Sequence, residues 1–302
     1  MAANTAPICA PSPRSATRMA GPQVAFLPDG RRLHLNHGPI DLIVDAEGPG
    51  RAAGLRAAVE RFDTILQELV DELPELRRPL RAQHRFRGAV ARAMADAVRP
   101  HGGVFVTPMA AVAGAVADAM LRVTCAPGGI TRAYVNNGGD VALHLAEGAR
   151  FTAALAGTFP ARATVTHADP VRGIATSGWR GRSHSLGIAD SVTVLARNAA
   201  AADAAATLIA NAVDLPGCER IRRVPARDLA PDSDLGARPV TVAVGPLTGT
   251  EIARALARGT RFAEDCRRRG LIHAALLSLA GESGTVGPVA LTDAMTGELL
   301  HA

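Results

Sequence analysis

Residues 173–211 read GIATSGWRGRSHSLGIADSVTVLARNAAAADAAATLIAN, and the order of patterns inside them decides how the chain is built. The first five residues are a short strand-like segment ending in Thr176 and Ser177, and SVTVLAR at 191–197 alternates β-branched side chains as a strand does. From 199 to 213 the chain is mostly alanine, the best intrinsic helix former, and nothing in the run breaks a helix. Strand, polar loop, strand and helix in succession predict an α+β fold. The loop places Thr176, Ser177, Arg180, Arg182, Ser183 and His184 between the two strands, so hydroxyls, guanidinium groups and an imidazole can converge. Such a loop suits a diphosphate, and a histidine with an ordinary pKa of about 6.5 can move a proton near neutrality. A solvated basic loop is the alternative.

Working upstream, 130–137 (ITRAYVNN) and 141–145 (VALHL) read as paired strands around the turn Gly138-Gly139-Asp140. Two glycines allow positive φ and close approach of the main chain to a bound group, and exposed N–H groups there suit anions. An ordinary hairpin turn has the same sequence. Segments 151–157 and 163–168 continue the β character. Further upstream, Asp29-Gly30 marks a hairpin within 24–44. A helix is predicted over 51–69 from Leu55, Val59, Phe62, Leu66 and Leu69, with Pro74 and Pro79 closing it. A second helix spans 86–98 and ends at the break Pro100–Gly103. Residues 104–106 read as a short strand leading into Thr107 and Pro108, a cap and a first helical position for a helix over 109–123. Gly114 inside that helix costs about 1 kcal/mol against alanine unless a neighbouring element or a ligand comes close.

Downstream, 214–237 reads as loop with one short helix, 240–244 as a strand, 250–268 as a helix with a basic end, and 271–279 as an apolar strand. Beyond Gly281 a last strand or arm is expected. The first 22 residues are rich in Ala, Pro, Ser and Thr and read as a disordered tail, leaving 23–302 as a single large domain.

Composition narrows the partners. Of 302 residues, 48% are hydrophobic but only 3% aromatic, so the core rests on small aliphatic side chains and base stacking on rings loses its main device. Nucleic acid is not expected. All 33 basic residues are arginines, which excludes the phosphate loop that ends in Lys-Ser/Thr, while the net charge of +5 favours anionic ligands. Cys9, Cys125, Cys218 and Cys266 have no metal-ligand spacing. No run is read as approaching the roughly 18 apolar residues of a membrane helix, and the tail lacks a secretory core, so a cytoplasmic protein without a membrane partner is expected.

On the alanine helix Asp203 and Thr207 are four residues apart, which puts a carboxylate and a hydroxyl on one face. Both are hard oxygen donors of the kind Mg²⁺ accepts, although Asp early in a helix also offsets its dipole.

Together, VNNGGDVAL, ATSGWRGRSH, the strand SVTV and AADAAATLIANAV resemble the ApbE superfamily, the FAD-dependent protein flavinyltransferases, over about 107–213. The resemblance implies an antiparallel or mixed sheet flanked by helices, and a Mg²⁺-dependent FAD site. In that site Asp203 and Thr207 would be the metal pair. Asn137, Gly138, Gly139 and Asp140 would form the flavin-binding loop. Ser177 and Gly178 with His184 would form the diphosphate-side segment, joined by Thr176, Arg180 and Arg182 of the same loop, and His184 and Asp203 would be catalytic. It implies transfer of FMN from FAD to a Ser or Thr of an acceptor protein, with a homodimer as one assembly open to it. A flavin-binding protein without transfer, and a sulfur-related transferase using Cys125, are the alternatives. The chain departs from the pattern in having Ala113-Gly114 where Lys-Gly is common and a shortened loop after His184. These departures point to a divergent, cytoplasmic branch.

Overall fold

The computed structural model describes residues 21–80, 85–155, 161–288 and 292–293. The tail expected at 1–22 therefore lies, but for its last two residues, outside the described residues. Chain order begins with β1 (Gln23–Phe26), β2 (Leu33–His37), β3 (Ile40–Glu47), α1 (Arg51–Leu76) and α2 (Ala89–Val98). After two 3₁₀ turns, Arg99–His101 and Pro108–Ala111, come α3 (Val112–Cys125), β4 (Arg132–Asn137), β5 (Asp140–Leu145), β6 (Arg150–Leu155) and β7 (Ala161–Thr166). Then follow β8 (Gly173–Ser177), β9 (Ser191–Ala196), α4 (Ala199–Ala212), β10 (Ile221–Pro225), α5 (Ala226–Leu229) and β11 (Pro239–Val244). The chain continues through α6 (Gly249–Arg268), β12 (Ala274–Leu279), β13 (Glu282–Val286) and β14 (Thr292–Asp293).

Among the described residues nine strands make one sheet in the order β1-β2-β3-β4-β5-β8-β9-β12-β13, and every pairing in it is antiparallel. The alternation read in the sequence sets its two faces. Val192, Val194 and Ala196 of β9 and Ala275, Leu277 and Leu279 of β12 pack with α4 and α6, whereas Leu195, Ala274 and Leu276 point the other way into a cluster with Val165 of β7. Helices α1, α3, α4 and α6 lie in contact one after another on the first face. The β6–β7 ribbon, extended by β14, covers part of the second. This is the α+β architecture with an antiparallel core that the sequence predicts.

Helix α4 is the centre of the packing. Asn198 caps it, its side chain accepting from the Ala201 N–H at 2.9 Å. Three glycines hold it from different sides. A Cβ on Gly114 of α3 would sit 2.3 Å from the Ala199 carbonyl oxygen, one on Gly173 of β8 2.0 Å from the Asn198 carbonyl carbon, and one on Gly187 2.1 Å from the Ala210 carbonyl oxygen. The glycine in the first turn of α3 is thus required by the close approach of α4.

Several local expectations change. Pro74 lies inside α1, whose last turn continues to Leu76, because a proline this near the C-terminus costs one hydrogen bond while Leu69 and Leu76 remain buried. Residues 104–106 form no strand, although the Val106 carbonyl accepts from the Leu80 N–H. Thr107 caps the 3₁₀ turn as its sequence predicts, accepting from the Met109 N–H. Within 214–237 the short helix is accompanied by β10, which pairs with β11 across a bulge at Arg222/Arg223. Finally, Pro108–Cys125 is 18 residues long with mean hydropathy 1.3, so one segment does reach the length and apolarity of a membrane span. It packs against α1, α4, β4 and β5, which is the setting of a core helix.

Candidate functional site

Site geometry starts with the β4–β5 hairpin. Register pairs Asn137 with Asp140 across a two-residue loop in which Gly138 has φ 63° and Gly139 φ 116°. A loop with both central residues at positive φ demands this glycine pair. Asn136 Oδ1 secures it by accepting from the Gly139 N–H at 2.8 Å. Next, β5 pairs with β8 at Val141–Ile174, so Asp140 comes level with the end of β8. There its Oδ1 accepts from the Thr176 N–H at 3.2 Å. The Thr176 hydroxyl is joined to that of Thr193 at 2.8 Å.

From the other side α4 presents Asp203, Thr207 and Asn211 at steps of four residues. They lie on the cavity wall, and no residue of α4 is exposed. Asp203 Oδ2 accepts from the Gly114 N–H at 3.0 Å. Asp118 of α3 returns the favour, its two carboxylate oxygens accepting from the Ala199 and Ala200 N–H groups at 3.0 and 2.9 Å. Each helix therefore anchors the other through a carboxylate. Asn137 adds a third tie, donating to the Ala113 carbonyl at 3.1 Å.

These arrangements bring Asp140 and Asp203 together. Asp140 is buried, and burial pushes its carboxyl up to about 7, opposed by its bonds to Thr176 and Asp203. Asp203 keeps a little surface toward the cavity but is packed round with protein, and burial followed by the charge of Asp140 pushes it well above the usual carboxylate range. Two carboxylates in this position need a proton or a cation between them. Hard oxygen donors on Asp140, Asp203 and Thr207 fit a divalent cation that also takes oxygens from a ligand. The described residues hold no cluster of three or more His, Cys, Asp or Glu side chains, so such an ion would depend on the ligand for part of its shell.

The cavity in front of the pair has a volume of about 1230 Å³, above the range of ordinary small-molecule sites. All the residues predicted from the sequence line it: Asn137 to Asp140, Thr176 to Gly178, Arg180, Arg182, His184, Asp203 and Thr207. They differ in what holds them. Arg180 is bonded to Asp190 at 2.6 Å and stacks over Trp179, so part of its charge is spent within the loop. Arg182 is exposed, with a terminal nitrogen beside Gly138. His184 is exposed at the cavity, and the next residues are tied down. Asn211 Oδ1 accepts from the Leu186 N–H at 2.9 Å and the Ser185 hydroxyl at 3.2 Å.

Three contributors went unread in the sequence. Asn211 continues the Asp203/Thr207 stripe by one more step of four, a signal that was available. The proximity of Asp140 to Asp203 was not, since it depends on sheet register. Asp234, whose Oδ2 accepts from the Thr107 hydroxyl, comes from a region read as loop. Cys125, by contrast, is outside this cavity, and burial pushes its thiol up to about 11.

The chain is 40% identical over 116 residues to a UPF0280 protein of Methanothrix thermoacetophila, covering 36% of this chain and 46% of that one. A UPF0280 protein of Methanothermobacter thermautotrophicus is 39% identical over 151 residues, 48% of this chain and 57% of that one. The matched region thus spans about half the length of these relatives. Among solved structures, the apo form of a flavinyl transferase ApbE from Pseudomonas stutzeri aligns at 13% identity with a TM-score of 0.45, over 90% of this chain and 96% of that one. A family model described as AbpE bacteria matches residues 24–285, which takes in nearly all of the sheet, the helices and the cavity wall, and the chain belongs to that family.

Proposed function

We propose that the chain binds the flavin nucleotide FAD with Mg²⁺ in this cavity and passes FMN to a Ser or Thr hydroxyl of an acceptor protein, releasing AMP. The observation that carries the proposal is the buried Asp140–Asp203 pair on the wall of a cavity large enough for a dinucleotide. The order of the motifs around it resembles that of the ApbE superfamily, apart from Ala113 and the shortened loop after His184.

Asp203, Thr207 and Asp140 would hold the cation, which would supply neutralisation of charge on the diphosphate. Arg182, beside the Gly138–Gly139 turn, has no ion-pair partner among the described residues and would pair with a phosphoryl oxygen, and the hydroxyls of Thr176 and Ser177 line the same wall. His184, exposed at the cavity surface, would exchange a proton with a reacting group. The tethered segment after it, held by Asn211 and Thr241, limits how far that side chain can travel.

Binding without transfer is the second reading, favoured by the exposed setting of His184. To separate the two, purified protein is incubated with FAD and Mg²⁺, with and without candidate acceptors, and assayed for AMP and protein-linked flavin. AMP release that disappears in Asp203→Ala supports transfer, and tight FAD binding without AMP supports the second reading. Failure to bind FAD at micromolar concentration with Mg²⁺ present overturns both. The sulfur reading loses its nucleophile with the placement of Cys125.

A further inference from the structure

Three carboxylates line the cavity among the described residues, and two of them form the buried pair. The third, Asp234, is half-buried on the segment between α5 and β11. That segment is a run of fixed turns: the Ser233 N–H donates to the Ala230 carbonyl at 2.9 Å, Gly236 to Ser233 at 3.1 Å, Arg238 to Leu235 at 3.1 Å, and Arg227 back to Gly236 at 2.9 Å. Its outer end is held where the Arg238 guanidinium lies over the ring of Phe105. Asp234 is thereby delivered to the cavity on a rigid support.

Its bonding is one-sided. The Thr107 hydroxyl oxygen already accepts from the Met109 N–H, so the hydroxyl proton is the one given to Asp234 Oδ2. Oδ1 has no hydrogen-bond or ion-pair partner among the described residues. The nearest arginine in sequence, Arg238, is engaged with Phe105. An acceptor-only group without a cation repels phosphate, so it belongs beside a part of the bound molecule that donates a proton.

We propose that Asp234 receives a hydroxyl group of the molecule bound in the cavity. This rests on the FAD reading above and deepens it. Two sources share the chemistry: a sugar hydroxyl of the dinucleotide, or the attacking hydroxyl of the acceptor. In the second case the acceptor oxygen bonds to phosphorus, its proton passes to Asp234 Oδ1, and the bond between phosphorus and the AMP oxygen breaks, with the electron pair leaving on AMP.

The test compares Asp234→Ala, Asp234→Asn and Thr107→Val with the full-length wild type, using FAD fluorescence titration in the presence of MgCl₂ and single-turnover AMP release. Circular dichroism and thermal melting check that each variant is folded. A sugar hydroxyl predicts that Asp234→Ala raises the FAD Kd about 10- to 100-fold, with partial recovery in Asp234→Asn, whose amide can still bond a hydroxyl. An acceptor hydroxyl predicts an unchanged Kd and AMP release slowed about 10²- to 10⁴-fold in both Asp234 variants. Thr107→Val keeps the carboxylate and should shift either quantity less than threefold. If folded Asp234→Ala matches wild type in Kd and rate, or Thr107→Val reproduces its defect, the proposal fails and Asp234 is only a latch on Thr107. If the wild type itself binds no FAD, the functional reading fails first and this one with it.

Discussion

Asp140 and Asp203 are the carboxylates the fold brings together at the cavity, and their protonation bears on stability without any ligand. Both have folded-state values above the ordinary 3.8, so the folded protein holds more protons than the unfolded chain between that value and about 7. Their contribution is fully present below 3.8 and is lost as pH rises through the folded value. At about 1.4 kcal/mol per pKa unit the loss amounts to a few kcal/mol. Thermal melting without divalent cation should therefore show the protein less stable at pH 8 than at pH 5, and Asp203→Asn should flatten that dependence. A wild type whose melting point is unchanged over this interval would remove the repulsion argument. A second residue-scale prediction concerns Cys125. With its thiol pushed up to about 11, it should react slowly with iodoacetamide at pH 7.5, and Cys125→Ser should leave FAD binding within twofold of wild type. At this scale the sequence singled out side chains that line the cavity but not which of them meet. The Asp203 to Thr207 spacing is written along one helix. The meeting of Asp140 with Asp203 is written nowhere local, because it follows from β4–β5 register, β5–β8 pairing and the seat of α4 together.

Helices α3 and α4 make the element-scale case. Gly114 was legible as an anomaly, a costly residue in a good helix, and its partner became visible only once α4 lay across it. Replacing it with alanine puts a Cβ into the Ala199 carbonyl, and the cost should be roughly 1–3 kcal/mol by denaturant titration, where a neutral result would mean the helices part easily. Asp118 carries the complementary prediction. Asp118→Ala leaves the first two N–H groups of α4 without their acceptor, at about 1–2 kcal/mol, and also loosens the element that carries Asp203 and Thr207. Mg²⁺-supported FAD binding should weaken about tenfold at a temperature where the variant remains folded. Unchanged binding would show that α4 keeps its position through packing alone. Strong local signals read correctly here: the β-branched alternation of β9, the alanine run of α4, and the helix expected over 250–268, which is α6. Weak ones did not. Val104–Val106 has strand composition without a neighbour to pair with, and β10 is hidden among Arg and Pro because its pairing with β11 is set by a bulge.

For the whole molecule, the nine-stranded sheet converts a linear order of motifs into one wall. Motifs separated by dozens of residues fall side by side because β4, β5, β8 and β9 are consecutive in the sheet. That adjacency is why a reading of ordered short motifs could anticipate the cavity lining. It could not anticipate the segment at 233–235, which reaches the cavity from outside the sheet.

The seating of α4 has a consequence for how this protein comes apart. A helix with ten of its 14 residues buried, gripped by glycines from α3, β8 and the loop after His184 and open only along its cavity stripe, has no route to partial opening that leaves its neighbours in place. Its amide hydrogens should exchange with deuterium only through global unfolding, at the slow extreme of the chain. The candidate acidic site would then persist for as long as the molecule is folded at all, and a ligand bound there would slow exchange across the whole sheet at once.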